Sequence, residues 1–109
     1  MPPVRSIFSA PGSVHGKPVA TVAVCRRGGA TAAFQCLNLP FQMLGCTVVG
    51  SQYWNIAYGR EPGEAARDAE GMQTMRTLAR NLAWLLSNLS SAAIPRPEPE
   101  PWQPTHFIR

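Results

Sequence analysis

Two stretches of this chain carry residue types whose spacing suits ligand chemistry. The first is Cys25-Arg26-Arg27-Gly28-Gly29-Ala30-Thr31, which follows a run of small and β-branched residues. In open α/β sheets, ligands bind just past the carboxyl ends of the strands. Paired glycines there let backbone approach a flat ligand closely. Free N–H groups ahead of a helix donate to oxygen or nitrogen acceptors, and Arg26 and Arg27 add positive charge beside them. The stretch is neither G-x-G-x-x-G nor a Walker loop. From spacing alone, an ordinary strand-to-helix turn with two exposed arginines is the plainer reading. The second stretch is Ser51-Gln52-Tyr53-Trp54-Asn55. Its aromatic faces suit stacking on a planar ring or on a neighbouring subunit, with Asn and Gln as orienting hydrogen-bond partners. A loop whose aromatics tuck under the domain is the equal alternative.

Other candidates are plainer. Met72 and Met75 read as core filler, and Trp84 as a packing or interface residue. His15 and His106 lie far from any cysteine, and no Ser–His–Asp set stands out. Cys25, Cys36 and Cys46 are odd in number and form no C-x-x-C, which argues against zinc, iron–sulfur and disulfide frameworks. Glu61, Glu64, Asp68 and Glu70 read as a solvated acidic run ahead of a helix. No catalytic side chain and no metal site is expected.

The elements that must position these residues follow from periodicity. Pro18 to Cys25 is apolar at nearly every position, as in a strand buried on both faces of a parallel sheet. Ala30 to Leu44 has helical spacing through Phe34, Leu37 and Phe41. Pro40 is expected to kink or end it, and Gly45 to stop it. Cys46 to Gly50 is a second short strand, and Ser51 to Gly59 is expected to be a loop. Arg60 to Arg67 is polar, with a turn at Pro62-Gly63. Asp68 is the expected N-cap of a long helix with Glu70 in its first turn. Met72, Met75, Ala79, Leu82, Leu86 and Leu89 form its apolar stripe. Gln73, Arg76, Arg80, Asn81 and Ser87 fall largely opposite, and the helix is expected to end near Asn88. Buried strand, helix, buried strand implies a parallel crossover and an α/β fold. Two strands alone do not make a stable open sheet, so a further half, a second copy or a partner is expected to complete it.

With 109 residues the chain holds one small domain, here residues 1–94, followed by an extended tail, 95–109, with five prolines. The formal net charge is +4. Met1 to Gly59 holds Arg5, Lys17, Arg26 and Arg27 and no acid, while the remainder is balanced. A basic half suits an anionic ligand but is too sparse for a nucleic-acid face; a solvated surface serves equally. Met1 to Gly16 reads as irregular, with Arg5 to Phe8 as a possible helix end. No signal peptide and no membrane-length apolar run is present in the sequence. A reducing, cytoplasmic setting is the expectation.

Gly16-Lys17-Pro18 through Ala30-Thr31, then Ser51 to Asn55, then Glu70 to Asn81, together resemble the NADPH-dependent FMN reductase branch of the flavodoxin-like superfamily, which is related to iron–sulfur flavoproteins. The closing Phe107-Ile108-Arg109 is similar to tails in that branch. The resemblance spans about Arg5 to Arg109, with the three main blocks in the right order. It implies a flavodoxin-like three-layer parallel sheet, here cut to its C-terminal strands and helices, with FMN at the carboxyl edge. In that branch the loop after the fourth strand holds the ring, which maps to Arg26, Arg27, Gly28, Gly29 and Thr31. Tyr53, Trp54 and Asn55 would then face substrate or an oligomer contact. The implied activity is NAD(P)H-dependent reduction of FMN, in dimers or tetramers. The family's phosphate-binding loop, G-S-x-R or similar, has no counterpart here, so the chain is expected to be a C-terminal piece that pairs with itself or with a missing N-terminal half. A non-catalytic half-domain serving as an interaction module is the alternative.

Overall fold

The computed structural model describes residues 14–107. The expected helix end at Arg5 to Phe8 and the final two residues of the family-like tail lie outside the described residues. The fold is mixed α/β. Its elements are β1 (Pro18–Val19), β2 (Ala23–Cys25), α1 (Ala30–Met43), β3 (Thr47–Val48), β4 (Ile56–Tyr58), a 3-10 turn (Ala65–Arg67) and α2 (Ala69–Ser90).

The strands pair in parallel, as expected, but as two short ladders. They are not buried on both faces as expected: no residue of Pro18–Val19 or Ala23–Cys25 is buried, and Val24 is 58% exposed because among the described residues no second layer covers that face. β1 pairs with β3, and β2 pairs with β4. The expected single strand over Val19 to Val24 is therefore interrupted at Ala20–Val22. The registers explain the break. Pro18 faces Thr47, 29 positions further along, whereas Ala23 faces Ile56, 33 positions further along. Four extra residues enter the second strand between the two ladders, so the chain leaves after Val49 and rejoins at Ile56. The stretch from Ser51 to Gly59 is thus not all loop, because Ile56–Tyr58 returns to the sheet as β4. Ile56 and Ala57 are buried there, Ala57 to 2% exposure.

Gly29 starts α1 from a left-handed conformation, φ 93°, with no side-chain cap. Pro40 lies inside the helix and does not end it. It costs one amide donor, but Leu44 N–H bonds back to the Pro40 carbonyl at 3.0 Å, so the last turn closes. Gly45, at φ 75°, then ends it as expected.

Asp68 caps α2 as the sequence predicts, accepting from Gly71 N–H at 3.0 Å. The helix runs to Ser90, slightly past the expected end. Its packed face differs from the apolar stripe. Gly71, Thr74 and Leu78 are buried, while Leu86 and Leu89 stay exposed. Gly71 seats the helix closely against Ala57, where a bulkier residue would hold it off. Asn81, expected on the outer side, donates to the Gly50 carbonyl at 2.8 Å.

The core is small: Ala30, Val49, Ile56, Ala57 and Leu78. Residues 95–107 are exposed and lack regular structure. Arg96 ties this tail down by donating to the carbonyls of Gly16, at 2.7 Å, and Gly45, at 2.9 Å. Among the described residues no helix is long and apolar enough to cross a membrane.

Candidate functional site

Parallel pairing puts the carboxyl ends of β2 and β4 side by side, with Cys25 facing Tyr58. The next step is held too, since Gly59 N–H donates to the Cys25 carbonyl at 3.1 Å. Two segments therefore leave from one edge: Arg26 to Gly29, which leads into α1, and Gly59 to Asp68, which leads into α2. A shallow cavity of about 430 Å³ lies between them, walled by Arg26, Tyr58, Gly59, Arg60, Arg67 and the acids Glu64 and Asp68.

The acids at this edge brace backbone. Glu64 accepts from Arg60 N–H at 2.9 Å, and hydrogen bonds from the Arg60 and Glu61 amides hold its carboxyl below the usual range. Asp68 does more. Its second oxygen accepts from Tyr58 N–H at 2.9 Å, so one carboxylate joins the end of β4 to the start of α2. The amides of Gly71 and then Tyr58 pull its pKa down. Sequence reading found the cap, but not the link to Tyr58, which depends on β4 being a strand. The ion pair between Arg60 and Glu61, at 3.1 Å, is exposed and contributes little.

Arg26, Arg27, Gly28, Gly29 and Thr31 are all exposed at this edge. Of them only Arg26 lines the cavity. Gly28 and Gly29 face open space, with nothing within 4 Å of where a Cβ would stand.

The Ser51–Asn55 stretch is placed differently. It is the excursion between β3 and β4, so it sits partway along the strand pair and not beyond its carboxyl end. Asn55 is 1% exposed. Its Nδ2 donates to the Thr21 carbonyl at 3.0 Å, and its own carbonyl accepts from Ala23 N–H at 3.0 Å. A side-chain amide thus replaces the ladder bond lost at the interruption of β1 and β2. The Ser51 hydroxyl donates to Asn55 Oδ1 at 2.5 Å, and Gln52 meets the Thr77 hydroxyl. Asn55 is therefore a brace, and the residues it presents are Tyr53 and Trp54.

These two rings tilt on each other, with centroids 5.1 Å apart and planes at 39°. They wall a second concavity of about 200 Å³ with Ile56, Tyr58, Asp68, Glu70, Gly71 and Thr74. Tyr58 and Asp68 border both concavities, which makes the two sites neighbours along the start of α2.

The cysteines are free, and no group of acids, histidines and cysteines among the described residues could hold a metal ion. Cys46 is half-buried, and burial pushes its thiol pKa up against a smaller opposing pull from Arg96. Compared with protein-family models, with curated proteins and with solved structures, the chain finds no match.

Proposed function

We propose that this chain is the flavin-facing part of a flavodoxin-like, NAD(P)H-dependent FMN oxidoreductase, in which a three-layer sheet is completed by a further half or a second copy. The observation that carries the reading is the open glycine pair at the edge where two parallel strands end. Gly28 and Gly29 offer bare backbone with space above it, so a flat ring can approach without meeting a side chain. The uncapped start of α1 leaves amide donors free for the ring's polar atoms. These residues fit the ring of FMN. Bound FMN would supply the hydride chemistry, and the chain's part is to hold and orient the ring. Arg26, Arg27 and Thr31 would border it, with Tyr53 and Trp54 on the substrate or subunit side.

The phosphate of FMN has no comparable cradle among the described residues. FMN is held largely through that phosphate, by backbone amides at a helix start. Without it the ring relies on stacking and neutral hydrogen bonds, each contributing about 0.5–1.5 kcal/mol net. These must offset an association entropy of at least about 4 kcal/mol. We therefore expect binding too weak to retain FMN through purification, and little NADPH oxidation by the chain alone.

Titration of FMN, followed by quenching of its fluorescence, tests the site. The wild-type chain should quench weakly but saturably, and Gly28→Val should bind less tightly while keeping its circular dichroism spectrum. Equal affinity in the two chains would remove the glycine loop from the flavin site.

A second reading, an interaction half-domain, is favoured by uncovered apolar surface. Val22 is 40% exposed, Val24 58% and Trp84 67%. A free strand edge and open apolar side chains invite pairing. Light scattering at micromolar concentration should show self-association under either reading, and a monodisperse monomer would count against both.

A further inference from the structure

The smaller concavity has a wall of its own, of which the flavin reading uses only Tyr53 and Trp54. Three of its side chains are aromatic, Tyr53, Trp54 and Tyr58, and two are acids, Asp68 and Glu70. No Lys, Arg or His lines it. We propose that it is a binding site for an organic cation, the methylated ammonium headgroup of a small molecule or side chain.

The face of an aromatic ring carries negative charge density, and a cation within about 6 Å of its centroid is attracted to it. Tyr53 and Trp54 pack on each other, with centroids 5.1 Å apart and planes at 39°, so a headgroup in the concavity they wall would rest against the aromatic surface the pair presents, and not between the rings. Tyr58 approaches from β4, and the carboxylates lie at the start of α2. Asp68 is held in its ionised form by the amides of Gly71 and Tyr58. Glu70 has no hydrogen bond or ion pair to its carboxylate among the described residues. The amides at the start of α2 would repel a cation, but the Asp68 cap offsets them and Glu70 adds a further negative charge.

The rings are also presented on purpose-built backbone. Tyr53, Trp54 and Tyr58 remain about half exposed, at 61%, 52% and 48%. Yet their loop is pinned at Asn55 to Thr21, at Ser51 to Asn55, and by Asn81 to Gly50. Rings fixed before the ligand arrives lose little entropy on binding it.

Size and chemistry narrow the ligand. At about 200 Å³ the space is smaller than the about 300–1,000 Å³ of pockets for larger ligands. That suits a headgroup and not a fused ring. A metal ion would want several oxygen or nitrogen ligands, and ring faces are not among them. A primary ammonium carries three strongly hydrated donors, and only Glu70 has carboxylate oxygens free to take them, since Asp68 spends both of its own on backbone. A methylated ammonium needs no donor partners, only ring faces and negative charge.

Choline is the test probe, and its neutral isostere 3,3-dimethylbutan-1-ol is the control, both titrated by calorimetry against the full chain. Choline should bind about tenfold more tightly than the isostere or better, since cation–π contacts contribute about 0.5–2 kcal/mol each. Trp54→Ala should weaken choline severalfold. Glu70→Gln, at an exposed position that leaves the fold intact, should weaken choline but not the isostere. The proposal is independent of the flavin reading, so Gly28→Val should leave choline affinity unchanged whatever it does to FMN. Equal affinity for the two probes, no saturable binding of choline, or choline affinity unmoved in Glu70→Gln would each overturn it.

Discussion

Alanine at Gly71 sets two effects of known size against each other. At an open helix position, Gly→Ala stabilises by about 0.8–1.0 kcal/mol because alanine loses less backbone freedom on folding. Gly71 is not open. A Cβ there would stand 3.1 Å from the Ala57 Cα and 2.8 Å from the Asp68 Cγ. Ala57 is backbone in β4 and cannot rotate away, so α2 would have to lift by a few tenths of an ångström. Asp68 can swing aside only by releasing Gly71 N–H or Tyr58 N–H. Overpacking of this kind costs about 1–3 kcal/mol. The clash therefore matches or exceeds the helix gain, and Gly71→Ala should be net destabilising by up to about 2 kcal/mol. Gly28→Ala is the internal control: nothing lies within 4 Å of its added methyl, so stability should stay within about 0.5 kcal/mol. Urea unfolding followed by far-ultraviolet circular dichroism reads both. With slopes of about 1–3 kcal/mol per molar, each 1 kcal/mol lost should lower the midpoint by roughly 0.3–1 M. A midpoint above wild type would show that α2 does not sit on β4 as closely as described.

Three further substitutions probe the remaining braces. Asn55→Leu leaves the Thr21 carbonyl without its donor in a buried place and should cost about 1–3 kcal/mol in the same assay; a loss below about 0.5 kcal/mol would remove Asn55 as the substitute for the ladder. The folded-state pKa of Asp68 is depressed, so its stabilisation is complete above the ordinary aspartate value, about 3.9, and is lost as pH falls through the lower folded value. Asp68→Asn should therefore unfold with a shallower acid limb than wild type, and identical acid titrations would contradict the assigned hydrogen bonds. Arg96→Ala should free the tail, lowering the fluorescence anisotropy of a probe attached at its end. Its cost in stability should be no more than about 1 kcal/mol, because the site is exposed.

Sequence reading succeeds where one residue type has one physical reason to be present. Asp68 at the start of a periodic run is a cap, and Gly45 after one is a stop. Apolar residues at consecutive positions give strands that pair in parallel, but not strands buried on both faces, because among the described residues no second layer covers Val22 and Val24. It fails where tertiary contact chooses among equals. Ile56–Tyr58 is three residues long and follows an aromatic, polar stretch, so no period marks it as a strand. The packed face of α2 is missed for a related reason. Periodicity weighs large apolar side chains, whereas the tight contact with Ala57 selects Gly71 for its small size. Pro40, expected to kink or end α1, lies inside it: the proline itself does not reveal that the turn after it closes through Leu44 N–H on the Pro40 carbonyl.

The four-residue excursion joins these observations into one mechanical account. A parallel pair cannot absorb extra residues without breaking its ladder, and an unpaired carbonyl at a buried break would be costly. Asn55 resolves this by giving a side-chain amide to Thr21 and its own carbonyl to Ala23. The strand then resumes as β4, which places Tyr58 opposite Cys25 and its amide within reach of Asp68. Removing four residues from the excursion would give a continuous strand that still places Tyr58 opposite Cys25, with its amide within reach of Asp68, but would take away Tyr53 and Trp54. The interruption thus sets the aromatic loop, whereas the resumed register of β4 sets the acid edge, and a four-residue deletion should separate the two.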